Sequence, residues 1–506
     1  MTRETLDRPE PRGRLIVRNT MINLLGHALP LILAVALMPP IIDGLGTERF
    51  GILAIAWMIL GYLADIGFGR ATTKFAAEVV AKDESARLPG IVWTTVAIQV
   101  GVGAVAAAAL FAAAPVLVER VLAIPDALLA EARTSLYLVA GIIPAILLGT
   151  VYRGVLEAAQ RFDLVNAVRV PNRAATLVLP LVGLALGWRL PGILALLLAA
   201  RYATLIAFVA ICLRLFPTLR RPPRWVGGEL RPVFRFGAWV SVSSVISPAL
   251  VYLDRFLLGA LASMGAVTYY TAPYEVTSRL WLVPTSLVAV LFPEFSALSD
   301  RPRSAAVERL AARSVRYLLA IQGTVIALLC AAASDLLHVW LGPEFAAEST
   351  LALQILAVGV LVNSLAWVPY TLIQGLGRAD LTAKFHMIEL PIHIVVATVL
   401  VTLWGVPGAA LAWSLRVTLD AMLLFGAMHR LSTVSPRAFW RERVPQTALI
   451  LVGLSLTTAL IMTRLDVPWV RGLLLAMLAS TLGLVVWRYA LGTEGRADLR
   501  RLLGTA

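Results

Sequence analysis

Fourteen apolar stretches, each long enough to cross a bilayer, fill most of this 506-residue chain. A hydrocarbon core takes roughly 20 residues of helix, and a helix satisfies its own backbone hydrogen bonds in lipid. The chain is therefore expected to be an all-α polytopic membrane protein. The spans fall near 19–42, 50–69, 90–118, 134–157, 165–187, 191–213, 234–259, 267–292, 316–340, 350–375, 385–403, 407–428, 445–463 and 469–490. The polar segments between them alternate in charge.

That alternation sets the orientation, because loops rich in Lys and Arg stay cytoplasmic. With the N-terminus inside, 34 of the 44 basic residues fall in the two tails and the even-to-odd loops. Arg153, Arg161, Arg169 and Arg173 are counted in that set, as the loop after span 4. Six lie outside: Arg49, Arg120, Arg133, Arg189, Arg464 and Arg471. The remaining four, Arg201, Arg255, Arg279 and Arg416, lie within spans. The expected location is the bacterial inner membrane, multi-pass, with both termini cytoplasmic. The polar start of the chain leads into an apolar run too long for a secretory signal and without a small-residue cleavage site, so it is read as a retained first helix.

A net charge of +14 would suit a nucleic-acid partner, but these charges are spread over short loops and tails as topology alone requires, so no nucleic acid is expected. Cys212 and Cys330 both sit in spans and encode neither a disulfide framework nor a paired-Cys metal site. No metal or other cofactor is expected.

An internal repeat organises the chain. Tyr152-Arg153-Gly154 to Arg161 returns loosely as Tyr370 to Arg378, Gly187-Trp188-Arg189-Leu190-Pro191-Gly192 as Trp404-Gly405-Val406-Pro407-Gly408, and Leu213-Arg214-Leu215 as His429-Arg430-Leu431. An even number of spans per copy keeps both in the same orientation, which predicts a parallel repeat of two six-helix lobes followed by two further helices. The expected boundaries are a basic tail 1–18, an N-terminal lobe 19–216, a cytoplasmic linker 217–232, a C-terminal lobe 233–430, and an extra helical hairpin with its tail over 431–506.

Several segments resemble one family. Leu45-Gly46-Thr47-Glu48-Arg49-Phe50-Gly51, Ala64-Asp65-Ile66-Gly67-Phe68-Gly69-Arg70, Gly154 to Phe162, Leu253-Asp254-Arg255-Phe256-Leu257-Leu258-Gly259, Tyr269-Tyr270-Thr271 and Leu291-Phe292-Pro293-Glu294-Phe295-Ser296 are similar in order and spacing to O-antigen and exopolysaccharide flippases. These form a branch of the multidrug/oligosaccharidyl-lipid/polysaccharide exporter superfamily, and the resemblance covers roughly residues 14 to 430. It implies a pair of six-helix lobes that flips undecaprenyl-pyrophosphate-linked oligosaccharide for cell-surface polysaccharide synthesis by alternating access. It also implies action as a monomer, with a polysaccharide polymerase or chain-length regulator as candidate partners. The context of Arg279 to Pro284 resembles the related lipid II flippases, where an arginine lines the central cavity.

A charge at bilayer depth costs at least ~2.5 kcal/mol, so it faces a wet cavity or a partner. Arginine binds phosphate oxygens with a planar fork and stays protonated, which makes Arg201, Arg279, Arg416 and Arg255 the candidate substrate-binding residues. Each has a plainer reading. Glu275 and Arg279 are four apart on one helix face, as are Arg416 and Asp420, so either arginine is also read as neutralised in place. Arg255 lies near a span end and is also read as a snorkelling anchor. Arg201 has no acidic neighbour on its own span and is expected to share a cavity between the lobes with Arg279. His386, Glu389 and His393 share one face of span 11. Glu389, His393 and Asp65 are the candidates for ion coupling, against a plainer reading of the first two as interfacial polar residues and of Asp65 as paired with loop arginines at an inner helix end. Sugar recognition is assigned to scattered residues: Asn19, Asn23, Gln99, Tyr137, Asn166, Trp281, Asn363 and Gln374.

Two other function classes stand beside this one. A membrane polymerase or glycosyltransferase needs a reactive constellation and a large loop to house it, and with five His, no Asp-x-Asp loop and a longest outer loop of residues 119 to 133, no enzyme is expected. A drug or metabolite antiporter of the same superfamily shares the fold, and is separated by cavity charge: acidic for cationic drugs, cationic for a pyrophosphate lipid.

Overall fold

The computed structural model describes residues 35–64, 87–220, 250–298, 302–432, 434–462 and 468–485, with a few single positions before 87. Among these residues every regular element is helical. The chain divides into two compact units, Met1–Pro248 and Ala249–Ala506.

In the first unit, α1 (Val35–Leu45) is followed by α2 (Thr47–Ala64), α3 (Leu88–Val116), α4 (Leu129–Ala158), α5 (Phe162–Ala185) and α6 (Leu190–Leu215). The central helix is α4, which packs on α2, α3 and α6, while α5 packs on α6. Val151, Tyr152, Val155 and Leu156 of α4 close a core with Leu88, Ile91 and Val92 of α3 and Phe208 and Cys212 of α6. With 3.6 residues per turn this apolar stripe leaves Arg153 on another face of the same helix.

The second unit begins with a helix over 250–261, α7. Then come α8 (Met264–Ser278), α9 (Leu282–Ala297), α10 (Ala305–Leu341), α11 (Pro343–Gly375), α12 (Ala379–Leu431), the short α13 (Pro436–Arg441), α14 (Val444–Met462) and α15 (Pro468–Val485). The stretch expected as span 8 is interrupted: a 3₁₀ turn at Arg279–Trp281 separates α8 from α9. Two expected spans run together as α12, broken where Gly405 takes φ 55°, ψ −124°. A residue with a side chain is disfavoured at such a φ, so glycine allows the chain to turn there without strain. Ser263 and Ser304 cap α8 and α10 by accepting from the N–H of Ala266 and Val307. Helices α14 and α15 lie on α10, joined by Leu319, Ala327, Leu451, Leu478 and Leu482.

Among the described residues, six helices are long and apolar enough to cross a membrane: Leu88–Val121, Asp126–Ala158, Leu190–Leu215, Ala305–Leu341, Pro343–Gly375 and Asp380–Leu431. The segments that the sequence repeat pairs carry the same local geometry. Two residues beyond the end of α4 stands Gln160 (φ 56°), and two beyond the end of α11 stands Gly377 (φ 73°). The following N–H, of Arg161 or Arg378, reaches back to the carbonyl of Leu156 or Ile373, the pattern by which a left-handed residue closes a helix. An aspartate then clamps each arginine, with Arg161 Nε to Asp163 Oδ1 at 2.9 Å and Arg378 Nε to Asp380 Oδ1 at 2.9 Å. The hydrogen bond from Arg378, aided by Lys384, holds the Asp380 carboxyl down at about 2, and the bond from Arg161 lowers that of Asp163.

The charge map changes in one respect. Arg153 lies inside α4 and Arg169 and Arg173 inside α5, not in the loop between them. At 1.5 Å per residue, Arg173 stands ~16 Å along α5 from its start and Arg201 ~21 Å along α6 from its end.

Candidate cationic cavity and buried charge cluster

The first unit holds a cavity of about 350 Å³. Arg153 from α4, Arg169 and Arg173 from α5 and Arg201 from α6 line it, with Trp57 of α2, Asn172, Thr176 and Thr204 completing the polar wall. Arg201 donates from Nη2 to Thr176 Oγ1 at 3.0 Å, and the Thr204 hydroxyl donates to Asn172 Oδ1 at 3.1 Å. Arg169 reaches Asn166 Oδ1 at 3.3 Å. Glu157 lies 3.4 Å from Arg153. Guanidinium forks of this kind offer paired donors to phosphate or carboxylate oxygens.

The second unit treats its charges differently. Asp254 on α7 is fully buried; Tyr270 donates to its Oδ2 at 3.1 Å, and His393 Nε2 lies 3.2 Å from Oδ1, off the line of a good hydrogen bond. Arg255 is buried as well, its guanidinium 4.4 Å from the Tyr274 ring centre and 4.0 Å from Glu275. Arg279 pairs with the same Glu275 at 2.6 Å, as the four-residue spacing implied, and is half exposed. Arg416 pairs not with Asp420 but with Glu389 at 3.4 Å across the break in α12. Glu389 and His393, also read as interfacial, are buried at 0% and 1% exposure. A cavity of about 70 Å³ lies against Glu389, His393 and Arg416.

His386, Glu389 and Asp420 bring their ligand atoms within 4.8 Å of one another. The Arg416 guanidinium beside Glu389 opposes a divalent ion there, because a fixed cation in the ligand shell repels a second one. Asp65 lies outside the described residues, as do Asn19 and Asn23.

None of the other six residues assigned to sugar recognition lines the large cavity. Gln99 is buried against Thr150, Tyr137 stacks on Phe111, Asn166 holds Arg169, Trp281 packs beside Tyr274 and Trp413, Asn363 accepts from Trp367, and Gln374 donates to Thr382. Sequence reading missed Arg153, Arg169, Arg173 and Trp57. The signal available was the clustering of four arginines, Arg153, Arg161, Arg169 and Arg173, within twenty-one residues, but the positive-inside rule explained it first.

The family described as "Polysaccharide biosynthesis protein" matches residues 16–299, more than half of the chain. The protein belongs to that family. The "Putative O-antigen transporter" of Shigella flexneri is 27% identical over 433 residues, covering 83% of this chain and 99% of that relative. The fold is that of the lipid II flippase MurJ in its inward closed conformation, with a TM-score of 0.69 at 10% identity over 93% of this chain and 99% of the other. An inward-facing multidrug MATE transporter of the MOP superfamily gives 0.65 at 15% identity, covering 80% and 97%. The family member is thus a multi-pass membrane protein with a MurJ- and MATE-like fold.

Proposed function

We propose that the protein flips undecaprenyl-diphosphate-linked oligosaccharide across the bacterial inner membrane by alternating access, with both termini cytoplasmic and fourteen spans, and that the cavity of Arg153, Arg169, Arg173 and Arg201 holds the diphosphate. The single observation carrying this reading is a cavity lined by four arginines and reaching ~21 Å into the helices, where guanidinium forks suit phosphate oxygens. The O-antigen transporter relative and the family match support it. Arg279, half exposed beside Glu275, is proposed to exchange that partner for substrate phosphate, with Arg255 behind it sharing the same acid.

Ion coupling is assigned to the buried cluster of the second unit. Asp254, Glu275, Glu389 and Asp420 set four carboxylates against Arg255, Arg279 and Arg416. The unmatched charge suits a proton or a monovalent cation held by Glu389 or His393.

Surface polysaccharide in a strain lacking its native flippase, normalised to membrane-inserted protein, tests the reading. Arg201→Ala and Arg173→Ala should each lower export strongly. Wild-type export from both would remove the cationic cavity from the mechanism. Resistance to cationic drugs that survives these substitutions would favour the antiporter instead. Orientation has its own test: with Cys212 and Cys330 replaced, Asp126→Cys and Ala346→Cys should react with an impermeant maleimide in intact cells, and Trp225→Cys and Arg303→Cys should not.

A further inference from the structure

The wall of the cationic cavity supplied by α2 is unlike the others. Trp57, Leu60 and Gly61 line it at i, i+3 and i+4, one face of the helix. Trp57 stands ten residues into α2, ~15 Å from its start, too deep for the interfacial belt where tryptophans anchor helix ends. Its ring meets Phe50 edge-on at 5.8 Å, and its indole N–H has no acceptor within the protein. That N–H is closed off from solvent, so the part of Trp57 offered to the cavity is its ring. Gly149, which also lines the cavity, borders open space: a Cβ placed there would meet nothing within 4 Å. Asn172 spends its carboxamide oxygen on Thr204, which leaves the –NH₂ end as its donor.

We infer that Trp57, with the Asn172 amide, is the platform for the first sugar of the lipid-linked oligosaccharide. This rests on the proposed diphosphate site. The chemistry is specific to a carbohydrate. A flat aromatic face takes the C–H side of a pyranose ring, and the Asn172 amide donates to a ring hydroxyl or acyl oxygen, while the arginines on the other walls hold the diphosphate to which that sugar is esterified. A lipid tail would leave that donor unmet. At about 350 Å³ the cavity lies in the usual small-molecule range of ~300–1,000 Å³ and has room beyond the phosphates.

The experiment compares two probes on the purified full-length protein in nanodiscs: farnesyl diphosphate and farnesyl-diphospho-N-acetylglucosamine. Wild type should bind the sugar-bearing probe roughly three- to tenfold more tightly, the worth of one aromatic contact. Trp57→Ala should erase that preference while binding farnesyl diphosphate as wild type does, and Trp57→Phe should restore most of it. Arg201→Ala should weaken both probes together. If Trp57→Ala keeps the preference, or loses bare diphosphate as well, Trp57 is not a sugar platform, though the diphosphate site stands on the wild-type result. If wild type binds neither probe, the diphosphate reading itself fails.

Discussion

The two units handle charge in opposite ways. Around the large cavity of the first, four arginines from three helices line one space, with Glu157 3.4 Å from Arg153. In the second, three arginines and four carboxylates interlock among buried aromatics, and each arginine has a carboxylate within 4.0 Å. In the register of the sequence repeat, a shift of about 217 residues, Arg153, Arg169, Arg173 and Arg201 correspond to Tyr370, His386, Leu390 and Thr418. The first unit thus sets arginines around a cavity, and the second locks arginines and carboxylates together. A charge locked to a buried partner is structural in character, whereas a charge that lines a cavity is open to a ligand.

The largest expected effect comes from breaking the compensated side. Arg416→Ala strands Glu389, and Asp254→Ala removes the acceptor of Tyr270 and the neighbour of His393. Removing one partner of a buried pair costs about 3–5 kcal/mol, so both variants should show a sharply lower unfolding temperature and little membrane-inserted protein. Arg201→Met in the first unit should insert and unfold as wild type does. Equal stability for all three would erase the distinction.

Affinity should show the reverse ranking. A hydrogen bond to a charged group contributes about 1.5–3 kcal/mol, roughly ten- to a hundredfold. Arg173→Ala and Arg201→Ala should therefore each weaken a polyprenyl diphosphate by that factor, measured by direct binding, with normal protein levels. A Lys at either position keeps the charge but loses the fork, and should fall between.

Arg279 lies between these extremes. Its pair with Glu275 has side-chain exposures of 40% and 32%, and such exposed pairs contribute only ~0–1 kcal/mol. Arg279→Ala should leave unfolding almost unchanged. A fall in export without a change in stability would place Arg279 with the ligand-facing arginines, and no fall would return it to the compensated set.

Much of the fold was legible because bilayer spans and basic loops leave strong marks on composition. The Arg279–Glu275 pair was legible from its spacing on one helix. Other features needed three dimensions. The Arg416–Glu389 pair joins residues 27 apart across a glycine break, and one-helix spacing pointed to Asp420 instead. Arg153, Arg169 and Arg173 obey the positive-inside rule and line a cavity at once, so topology masked their second role. Trp57 carries no local signal among thirteen tryptophans; only its depth, its unmet donor and its neighbours mark it.

The smallest effect belongs to the one feature that the two units share. Asp163 and Asp380 clamp Arg161 and Arg378 in matching turns, and both clamps are well exposed. Their carboxyls are lowered, so each clamp contributes fully above the unfolded carboxylate value of ~3.9 and is lost as pH falls through the folded value, about 2 for Asp380. Unfolding temperatures of wild type and Asp380→Asn should therefore run parallel between pH 5 and 8. The small gap between them should close only below about pH 4, because there the wild-type carboxyl becomes as neutral as the amide. Asp163→Asn should repeat the pattern. A gap that changed near pH 6 to 7 would mean that a histidine, not the clamp, is being read, and a clamp effect in one unit alone would show that the matching turns are alike in geometry but not in what they stabilise.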